Sequence, residues 1–431
     1  MNKKKVLIVS YSWPPCGGIN VLRVLKIVKY LRDFDWEPVI YIPENADYPY
    51  LDQNNFRDIP EELTILKRPI LEPFGLFKKI TGRKKDEPLN NVIHVREKKR
   101  VFDSLGIFIR GNFFIPDARA LWVRPSVKYL TNYLKENPVD AIFSDGPPHT
   151  NTLIACKVSK NTGIPVLTDY QDPWTQVDYY AEFNMSAVAD YIHKKQEQFC
   201  FQNANKICIS SPATKVDLEA IGARNVEVLP YGFDEADFTG MAPNKNPKEF
   251  IISHAGLFGR DRYSENFFLA LQKLVKENPT DRKITLVLAG QVDYMIKEAI
   301  ERFGLTNHFK FLGTIPRKES IQLMFDSDVL LLPLNQTGNT HGRIPGKFYE
   351  NMRTYNQILA LGPEDSDVGN MLKETNCGKC IDYLNFEDIY SFLHHALIHG
   401  NQISVNKEAI QNYSNYNLTK KVAGWLNEIS K

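Results

Sequence analysis

A glycine-proline turn that runs into a short predicted helix is the clearest candidate binding motif. Residues 342–350 have the sequence GRIPGKFYE, and the helical pattern continues to about Arg353. The backbone amides of Gly346 and Lys347 would lie at the positive end of that helix, where anions bind. Glu350, one turn later, can accept hydrogen bonds from two vicinal hydroxyls such as those of a ribose. The motif therefore suits a nucleotide.

Two arginines follow another candidate strand in the same half of the chain. Residues 256–262, GLFGRDR, come directly after the predicted strand Phe250–Ala255. Arg260 and Arg262 carry permanent charges and planar donor groups that match phosphate oxygens, and the glycines let the backbone approach a ligand. This loop favours a diphosphate.

The first strand of the chain leads into a proline- and glycine-rich loop. Residues 13–18, WPPCGG, precede a predicted helix. Gly17 and Gly18 lack Cβ atoms, so their amides can meet an anion at the helix start. The loop is neither a GxGxxG fingerprint nor a P-loop, and the structural alternative is a tight turn.

Two further loops follow predicted strands of the first half. Residues 144–150, SDGPPHT, place His149 at a helix start, and residues 169–174, DYQDPW, follow the next strand. An isolated histidine is usually structural, but one at a strand end that faces a cleft favours a functional role. For the second loop, Asp172 as a structural cap before Pro173 is an equal alternative.

Short β-rich runs alternate with helical patterns through most of the chain, which indicates parallel βαβ units. We predict an α/β protein with two doubly wound Rossmann-like domains that face a cleft, since ligands of such sheets bind beyond the carboxyl ends of the strands. The predicted domains are residues 1–240 and residues 241–407, followed by a C-terminal helix, 408–431, that returns to the first domain. The predicted strands are 5–10, 37–42, 141–144, 165–169, 206–210 and 226–229, then 250–255, 283–289, 309–312, 329–333 and 357–361.

Composition excludes several classes of protein. The 431 residues are 43% apolar and 24% charged, which excludes a disordered or fibrous chain. With 53 Lys and Arg against 51 Asp and Glu, the net charge of +2 gives no global nucleic-acid footprint. Six cysteines in this length are no disulfide framework, and no apolar run is long enough to span a bilayer. We expect a cytoplasmic protein.

One segment departs from this balance. Residues 78–100 hold nine Lys or Arg against three acidic residues, a local charge of +6. The segment is either a solvated insertion or a contact with anionic lipid headgroups or a phosphate-bearing acceptor, since each clustered cation near an anionic surface adds about 1 kcal/mol. The second alternative predicts a peripheral protein on the inner face of the membrane, and sedimentation with anionic liposomes at low salt tests it.

Taken in order, these motifs resemble retaining glycosyltransferases of the GT-B type, in particular family 4 and its close relatives. The resemblance runs from the WPPCGG loop through SDGPPHT, DYQDPW and the VLPYG turn at 228–232 to GRIPGKFYE. It implies a metal-independent hexosyltransferase of polysaccharide biosynthesis, with a nucleotide diphosphate sugar as donor substrate, no cofactor, and a glycan or lipid-linked glycan as acceptor. The implied roles are catalysis for His149, Arg260 and Lys347; donor binding for Gly17, Gly18, Arg260, Arg262, Gly346, Lys347 and Glu350; and acceptor contact for Pro15, Asp145 and Asp172.

The chain departs from the family pattern at three positions. Gly342 stands where the family often has a glutamate that touches the donor sugar, Asn266 replaces a lysine, and Tyr231 replaces the asparagine of an Asn-Gly turn. Two other functions therefore stay open: a nucleotide-sugar epimerase, and a non-catalytic nucleotide-sugar binding or scaffold protein. Cys377 and Cys380 have two-residue spacing but no second pair or nearby histidine, which disfavours zinc.

Overall fold

Two parallel β-sheets organise the computed structural model, which describes residues 3–72 and 108–431. The N-terminal unit comprises the chain up to Pro230 together with Tyr416–Lys431, and the C-terminal unit is Tyr231–Asn415. The chain leaves the first unit at Pro230 and not near residue 240, because Phe233 and Phe238 are buried in the core of the second unit. Part of the predicted C-terminal helix, through Asn415, also belongs to the second unit.

The sheet of the N-terminal unit has seven strands in the order β3-β2-β1-β4-β5-β6-β7, all parallel. Every neighbouring pair is parallel because a helix or a long loop connects successive strands. The strands are β1 (Lys4–Val9), β2 (Trp36–Pro43), β3 (Thr64–Arg68), β4 (Ala141–Gly146), β5 (Val166–Tyr170), β6 (Lys206–Ile209) and β7 (Val226–Val228). The helices are α1 (Ile19–Leu31), α2 (Val123–Glu136), α3 (His149–Thr162), α4 (Ala187–Asn203) and α5 (Pro212–Ala220).

The sheet of the C-terminal unit has six parallel strands in the order β10-β9-β8-β11-β12-β13. The strands are β8 (Glu249–Ala255), β9 (Lys283–Ala289), β10 (Phe309–Gly313), β11 (Val329–Pro333), β12 (Gln357–Leu361) and β13 (Gly378–Ile381). Its helices are α6 (Glu265–Lys276), α7 (Tyr294–Arg302), α8 (Arg317–Asp326), α9 (Gly346–Arg353), α10 (Asp367–Thr375), α11 (Phe386–His399) and α12 (Lys407–Gln411), and α13 (Asn415–Ile429) follows them in the chain.

Apolar cores cover both faces of each sheet, as expected for strands with continuous apolar runs. The last helix, α13, buries Leu418, Val422 and Leu426 in the core of the N-terminal unit. Most of this helix therefore belongs to the N-terminal unit. Among the described residues, no helix combines the length and apolarity that crossing a bilayer requires.

Two strands were absent from the prediction. β3 is an edge strand with the sequence TILKR, whose residues are half-buried or exposed. β13 lies at an edge of the other sheet and is a four-residue strand that contains Gly378 and Lys379. Neither shows the apolar run by which the other strands, including the edge strands β7 and β10, were recognised.

A buried ion pair joins three elements of the N-terminal unit. The Arg23 guanidinium of α1 donates from Nε and Nη2 to Asp169 of β5, at 2.6 and 2.8 Å, and to the Leu229 carbonyl at 2.5 Å. Both side chains are almost fully buried. Burial raises the pKa of the Asp169 carboxyl, and the charge and hydrogen bonds of Arg23 oppose that rise. The pair therefore fixes α1 against the sheet.

We predict that Arg23→Gln lowers the free energy of unfolding by about 3 to 5 kcal/mol, because it leaves a buried carboxylate without its counter-charge. Urea titration of the wild type and the variant measures this. The control is Lys194→Gln, which removes an exposed i,i+4 pair with Asp190 and should cost less than about 1 kcal/mol. Equal losses in the two variants would contradict this account of the buried pair.

Candidate functional site

In the C-terminal unit, the candidate site begins where helix α9 starts. Pro345 precedes the helix and provides no side-chain cap, so Gly346 and Lys347 are its first two residues. Amides in this position have no partner within their own helix and carry the positive end of its dipole. Glu350 follows one turn later and is 6% exposed. The structure therefore brings these three predicted residues together on one short helix.

The carboxylate of Glu350 is compensated by two cations. Lys347 Nζ lies 2.8 Å from Oε2, and Arg317 Nη2 lies 2.7 Å from Oε1. Arg317 is the first residue of α8, and sequence reasoning missed it because nothing in the local pattern links it to a residue so far along the chain. The loss of solvation on burial makes such pairing necessary for a charged carboxylate.

The arginine-rich loop after β8 contributes further positive charge. Arg262 is half-buried and donates from Nη1 to the Leu257 carbonyl at 2.7 Å. Burial lowers the pKa of its guanidinium, and the neighbouring charge of Arg343 lowers it further while that of Asp261 opposes the change. Arg260 is exposed. Of the two predicted arginines, Arg262 is thus the one held in place, and Arg343 is an additional cation that the prediction lacked.

The same positive charges act on His254, near the end of β8. Burial, together with the smaller effects of the charges of Arg262 and Lys347, lowers the pKa of its imidazole to about 4 against the hydrogen bonds with the Leu331 and Leu257 carbonyls. Its Nδ1 lies 3.0 Å from the Leu331 carbonyl of β11. The charges of Arg262, in the loop after β8, and of Lys347, on α9, therefore both affect the pKa of the same buried ring.

Glycines allow the loops after β8, β9 and β10 to approach one another. Gly290 has φ +118°, and a Cβ at this position would lie 2.2 Å from the Gly256 carbonyl oxygen. The Gly290 amide donates to the Gly313 carbonyl at 2.7 Å, and the Gly256 amide to the Ala289 carbonyl at 2.8 Å. Only glycine suits this crossing.

The three positions at which the sequence departs from the family pattern have the following surroundings. Gly342 is buried in a short 3-10 helix, Thr340–Gly342, before the α9 turn. Asn266 donates from Nδ2 to the Tyr383 carbonyl at 3.2 Å, so it ties α6 to a loop. Tyr231 is half-buried at the start of the C-terminal unit.

In the N-terminal unit, His149 is the first residue of α3 and is 7% exposed. Its ring stacks on Trp174, with centroids 5.0 Å apart and planes 2° apart. Burial lowers the pKa of the imidazole to about 4, although the charge of Asp117 and a hydrogen bond with the Pro173 backbone oppose this. Within the described residues, His149 Nδ1 has no hydrogen-bond partner. The Nδ1 atom is itself buried, so the ring is neutral and held by its stacking on Trp174.

Asp117, which the sequence analysis did not single out, holds the start of α3. Its Oδ2 accepts from the Thr150 amide and its Oδ1 from the Thr150 hydroxyl, both at 2.9 Å. A carboxylate at this position also complements the positive end of the helix dipole. The signal that could have identified it, an acidic residue preceding a distant helix, carries no fixed spacing.

Asp145 lies at the carboxyl end of β4, directly beside Asp169 of β5. It accepts from Ser10 Oγ at 3.1 Å and from Asn151 Nδ2 at 3.0 Å. Burial raises the pKa of its carboxyl to about 8, helped by the charge of Asp169 and opposed by the two hydrogen bonds. The single Ser10 hydroxyl hydrogen also lies within reach of the Ser12 carbonyl, at 2.9 Å. A protonated Asp145 that donates to Ser10 Oγ satisfies both contacts.

The WPPCGG loop differs from its prediction in one respect. The Gly17 amide donates to the Tyr50 carbonyl at 2.8 Å, and the Pro15 carbonyl accepts from the Asp52 amide at 2.8 Å. The loop thus pairs with residues 50–52, a long-range contact that no local pattern shows. Gly18 is exposed, has φ +95° and precedes α1 without a side-chain cap. Of the two glycines, Gly18 therefore keeps the predicted geometry.

The remaining predicted residues are placed as follows. Pro15 is half-buried, and Asp172 is exposed in the loop after β5. The basic segment 78–100 lies outside the described residues. Within the described ranges, no three His, Cys, Asp or Glu side chains are grouped as metal ligands.

Comparison with protein-family models adds a finding about the C-terminal unit. Residues 240–342 match the model of Glycosyl transferases group 1. The matched region contains β8 to β11 and the arginine-rich loop, and it ends just before the start of α9. Comparison with curated protein sequences gave no match.

Solved structures with similar folds cover nearly the whole chain. HepE from Anabaena in complex with UDP is 13% identical, with a TM-score of 0.62 over 98% of this chain and 100% of that chain. Sucrose-phosphate synthase from Thermosynechococcus elongatus is 11% identical, with a TM-score of 0.62 over 99% of both chains. At this identity the likeness establishes the fold, which is that of GT-B glycosyltransferases, as the sequence motifs predicted.

A third neighbour has a different activity in its description. A chain from Listeria monocytogenes described as a UDP-N-acetylglucosamine 2-epimerase is 12% identical, with a TM-score of 0.54 over 99% of this chain and 96% of that chain. The fold therefore does not by itself separate sugar transfer from epimerisation.

We predict that stability falls with rising pH because of Asp145. Its folded carboxyl keeps the proton to about pH 8, whereas the ordinary value is 3.8, so the folded state binds more protons between these values and the free energy of unfolding decreases across them. Asp145→Asn should flatten the decrease between about pH 5 and 8, measured by urea titration at several pH values.

The matched control for this pH test is Asp190→Asn. The hydrogen bond from Lys194 lowers the pKa of the exposed Asp190 carboxyl below 3.8, so this variant should keep the wild-type slope above pH 5. If Asp145→Asn also kept the wild-type slope, Asp145 would be charged in the folded protein and our account of it would be wrong.

Proposed function

We propose that the protein is a glycosyltransferase that moves a sugar from a nucleotide diphosphate sugar to a hydroxyl of a glycan or lipid-linked glycan. The observation that carries this proposal is the arrangement around α9. A buried carboxylate, Glu350, lies one turn after an uncapped helix start, at the carboxyl side of a parallel sheet. The match of residues 240–342 to group 1 glycosyl transferases supports the same conclusion.

The ribose and diphosphate of the donor are assigned to neighbouring groups. Glu350 would accept the two ribose hydroxyls, and the amides of Gly346 and Lys347 would donate to the diphosphate. Arg262 and the Lys347 ammonium would add charge-assisted hydrogen bonds, with Arg260 and Arg343 as exposed cations of the same loops. Because HepE is described in complex with UDP, UDP is the nucleotide to test first.

The chemical step requires a departing diphosphate to be stabilised. The bond between the anomeric carbon and the diphosphate oxygen breaks with its electron pair on the oxygen, and the acceptor oxygen forms the new bond to that carbon. In the retaining mechanism implied by the resemblance, the diphosphate takes the acceptor proton. Fixed amides and cations lower the energy of the developing negative charge, and losing one such donor typically costs about 10²-fold in rate. We propose that side chains and amides provide this stabilisation in place of a metal ion.

The N-terminal unit would provide groups for the sugar and the acceptor. The resemblance places His149 beside the reacting sugar, and burial lowers the pKa of its imidazole to about 4, so the ring would be neutral there. The resemblance assigns Pro15, Asp145 and Asp172 to the acceptor side. Asp172 is the exposed member of that set.

A cytoplasmic location with peripheral contact to the inner membrane face belongs to the same proposal. All six cysteines are free thiols, which suits a reducing compartment. Membrane contact would depend on the basic segment 78–100, whose charge of +6 is its only support.

Binding of a nucleoside diphosphate at Glu350 can be measured directly. A nucleoside diphosphate at about 100 times its dissociation constant should stabilise the wild type by roughly 2.7 kcal/mol, seen as a rise in Tm. Glu350→Gln should lose most of this rise, since a neutral amide offers one acceptor oxygen in place of two. Thermal unfolding with UDP, GDP, ADP and their sugars measures both proteins side by side.

The control is Glu277→Gln, which alters a carboxylate of the same unit that bonds Tyr390 in a solvent-exposed contact. It should keep the wild-type rise in Tm. If no nucleoside diphosphate raises the Tm of the wild type, the assignment of α9 is wrong and the enzyme proposal loses its main support.

The two other functions have distinct outcomes. Incubation of the protein with the stabilising nucleotide sugar and no acceptor, followed by chromatography and mass analysis, should leave a transferase donor unchanged apart from slow hydrolysis. An isomeric sugar or its glycal would indicate an epimerase, a candidate because of the Listeria neighbour. Binding without turnover in any acceptor extract would indicate a binding protein, a candidate because Gly342 replaces a glutamate.

A further inference from the structure

Arg317 lies between two buried carboxylates of the C-terminal unit. Its Nη2 is 2.7 Å from Glu350 Oε1 and 2.9 Å from Asp237 Oδ2. The Arg317 side chain is 32% exposed, whereas the two carboxylate side chains are 7% and 3% exposed. A guanidinium that bridges two buried anions has little freedom to reorient, since moving it leaves charge uncompensated.

Glu350 therefore has one cation on each oxygen. Lys347 Nζ contacts Oε2, the oxygen that Arg317 does not contact. An ionised carboxylate has about four acceptor sites, so pairing with two cations is compatible with accepting ribose hydroxyls as well. The two contacts set the plane and direction in which the carboxylate faces.

The two cations differ in how firmly they are held. Lys347 is a flexible ammonium that also reaches Ser320 Oγ at 3.4 Å, and it lies on the helix turn assigned to the diphosphate. Arg317 is anchored from its other side by Asp237, in the short 3-10 helix Glu235–Phe238. If Lys347 turns to the phosphates when a nucleotide binds, Arg317 is the cation that stays on Glu350.

We propose that Arg317 is the positioning residue of the nucleotide site, holding the Glu350 carboxylate in the orientation that accepts the ribose diol. This inference rests on the proposed function and adds to it a residue that is in none of the motifs of the sequence analysis. It predicts that Arg317 affects recognition of the ribose hydroxyls and leaves recognition of the diphosphate largely intact.

Arg353 is the matched control for a merely structural role of Arg317. Arg353, at the end of α9, contacts Glu235 Oε2 at 2.7 Å. It therefore joins α9, the helix of Glu350, to the 3-10 helix that contains Asp237. The ion pair of Arg353 is thus with Glu235. Both arginines thus anchor the segment, but only the role proposed for Arg317 passes through the ribose-binding carboxylate.

The experiment compares ribose recognition in the wild type, Arg317→Gln and Arg353→Gln. Isothermal titration measures the affinities of UDP and 2′-deoxy-UDP, and of the GDP and ADP pairs if UDP does not bind. The wild type should prefer the ribonucleotide by roughly tenfold or more, the worth of a hydrogen bond to a charged group. Arg317→Gln should reduce this preference to about twofold while keeping most of the affinity for the deoxynucleotide. Arg353→Gln should keep the wild-type preference.

The outcomes separate this inference from the proposed function. A wild-type preference that persists in Arg317→Gln overturns the inference alone, as does an equal loss of affinity for both nucleotides. A wild type that binds no nucleoside diphosphate, or shows no preference for ribose, overturns both. If Arg317→Gln fails to fold, Arg317→Lys serves in its place. Its ammonium cannot match the guanidinium fork, so the preference should fall to between the wild-type and twofold values.

Discussion

The requirement that a buried carboxylate be compensated shapes the candidate site of the C-terminal unit. Glu350 is taken out of water by its place on α9, and it is tolerated there because Lys347 and Arg317 lie against its two oxygens. That requirement links α9 to α8 and, through Asp237, to the segment that opens the unit. A single charged group thus determines how three elements are arranged around the nucleotide site that we propose.

The N-terminal unit solves the same problem in two ways on neighbouring strands. Asp169 keeps a buried partner, Arg23, and the pair ties α1 to the sheet. Asp145, beside it, has only neutral hydrogen-bond partners among the contacts described above, and burial raises the pKa of its carboxyl to about 8. The two adjacent carboxyls therefore differ in their surroundings, since the contacts of Asp169 include a cation.

Much of the fold followed from the sequence because the central strands are short apolar runs between helical patterns. Two strands were not predicted, because the segments of β3 and β13 do not show such a run. The α9 residues were predictable because helix geometry fixes the relation of Gly346, Lys347 and Glu350. Arg317 was not, since its contact with Glu350 depends on the packing of α8 beside α9. The pairing of the Gly17 amide with the Tyr50 carbonyl was unpredictable for the same reason, as it joins two loops far apart in the chain.

The most direct test of the central claim is a crystal structure of the protein with the nucleoside diphosphate that stabilises it. We expect both ribose hydroxyls within hydrogen-bond distance of the Glu350 carboxylate and the diphosphate at the amides of Gly346 and Lys347. Arg317 should remain on Glu350 in that complex. A nucleotide bound elsewhere, or a ribose turned away from Glu350, would contradict the claim that this compensated carboxylate forms the nucleotide site.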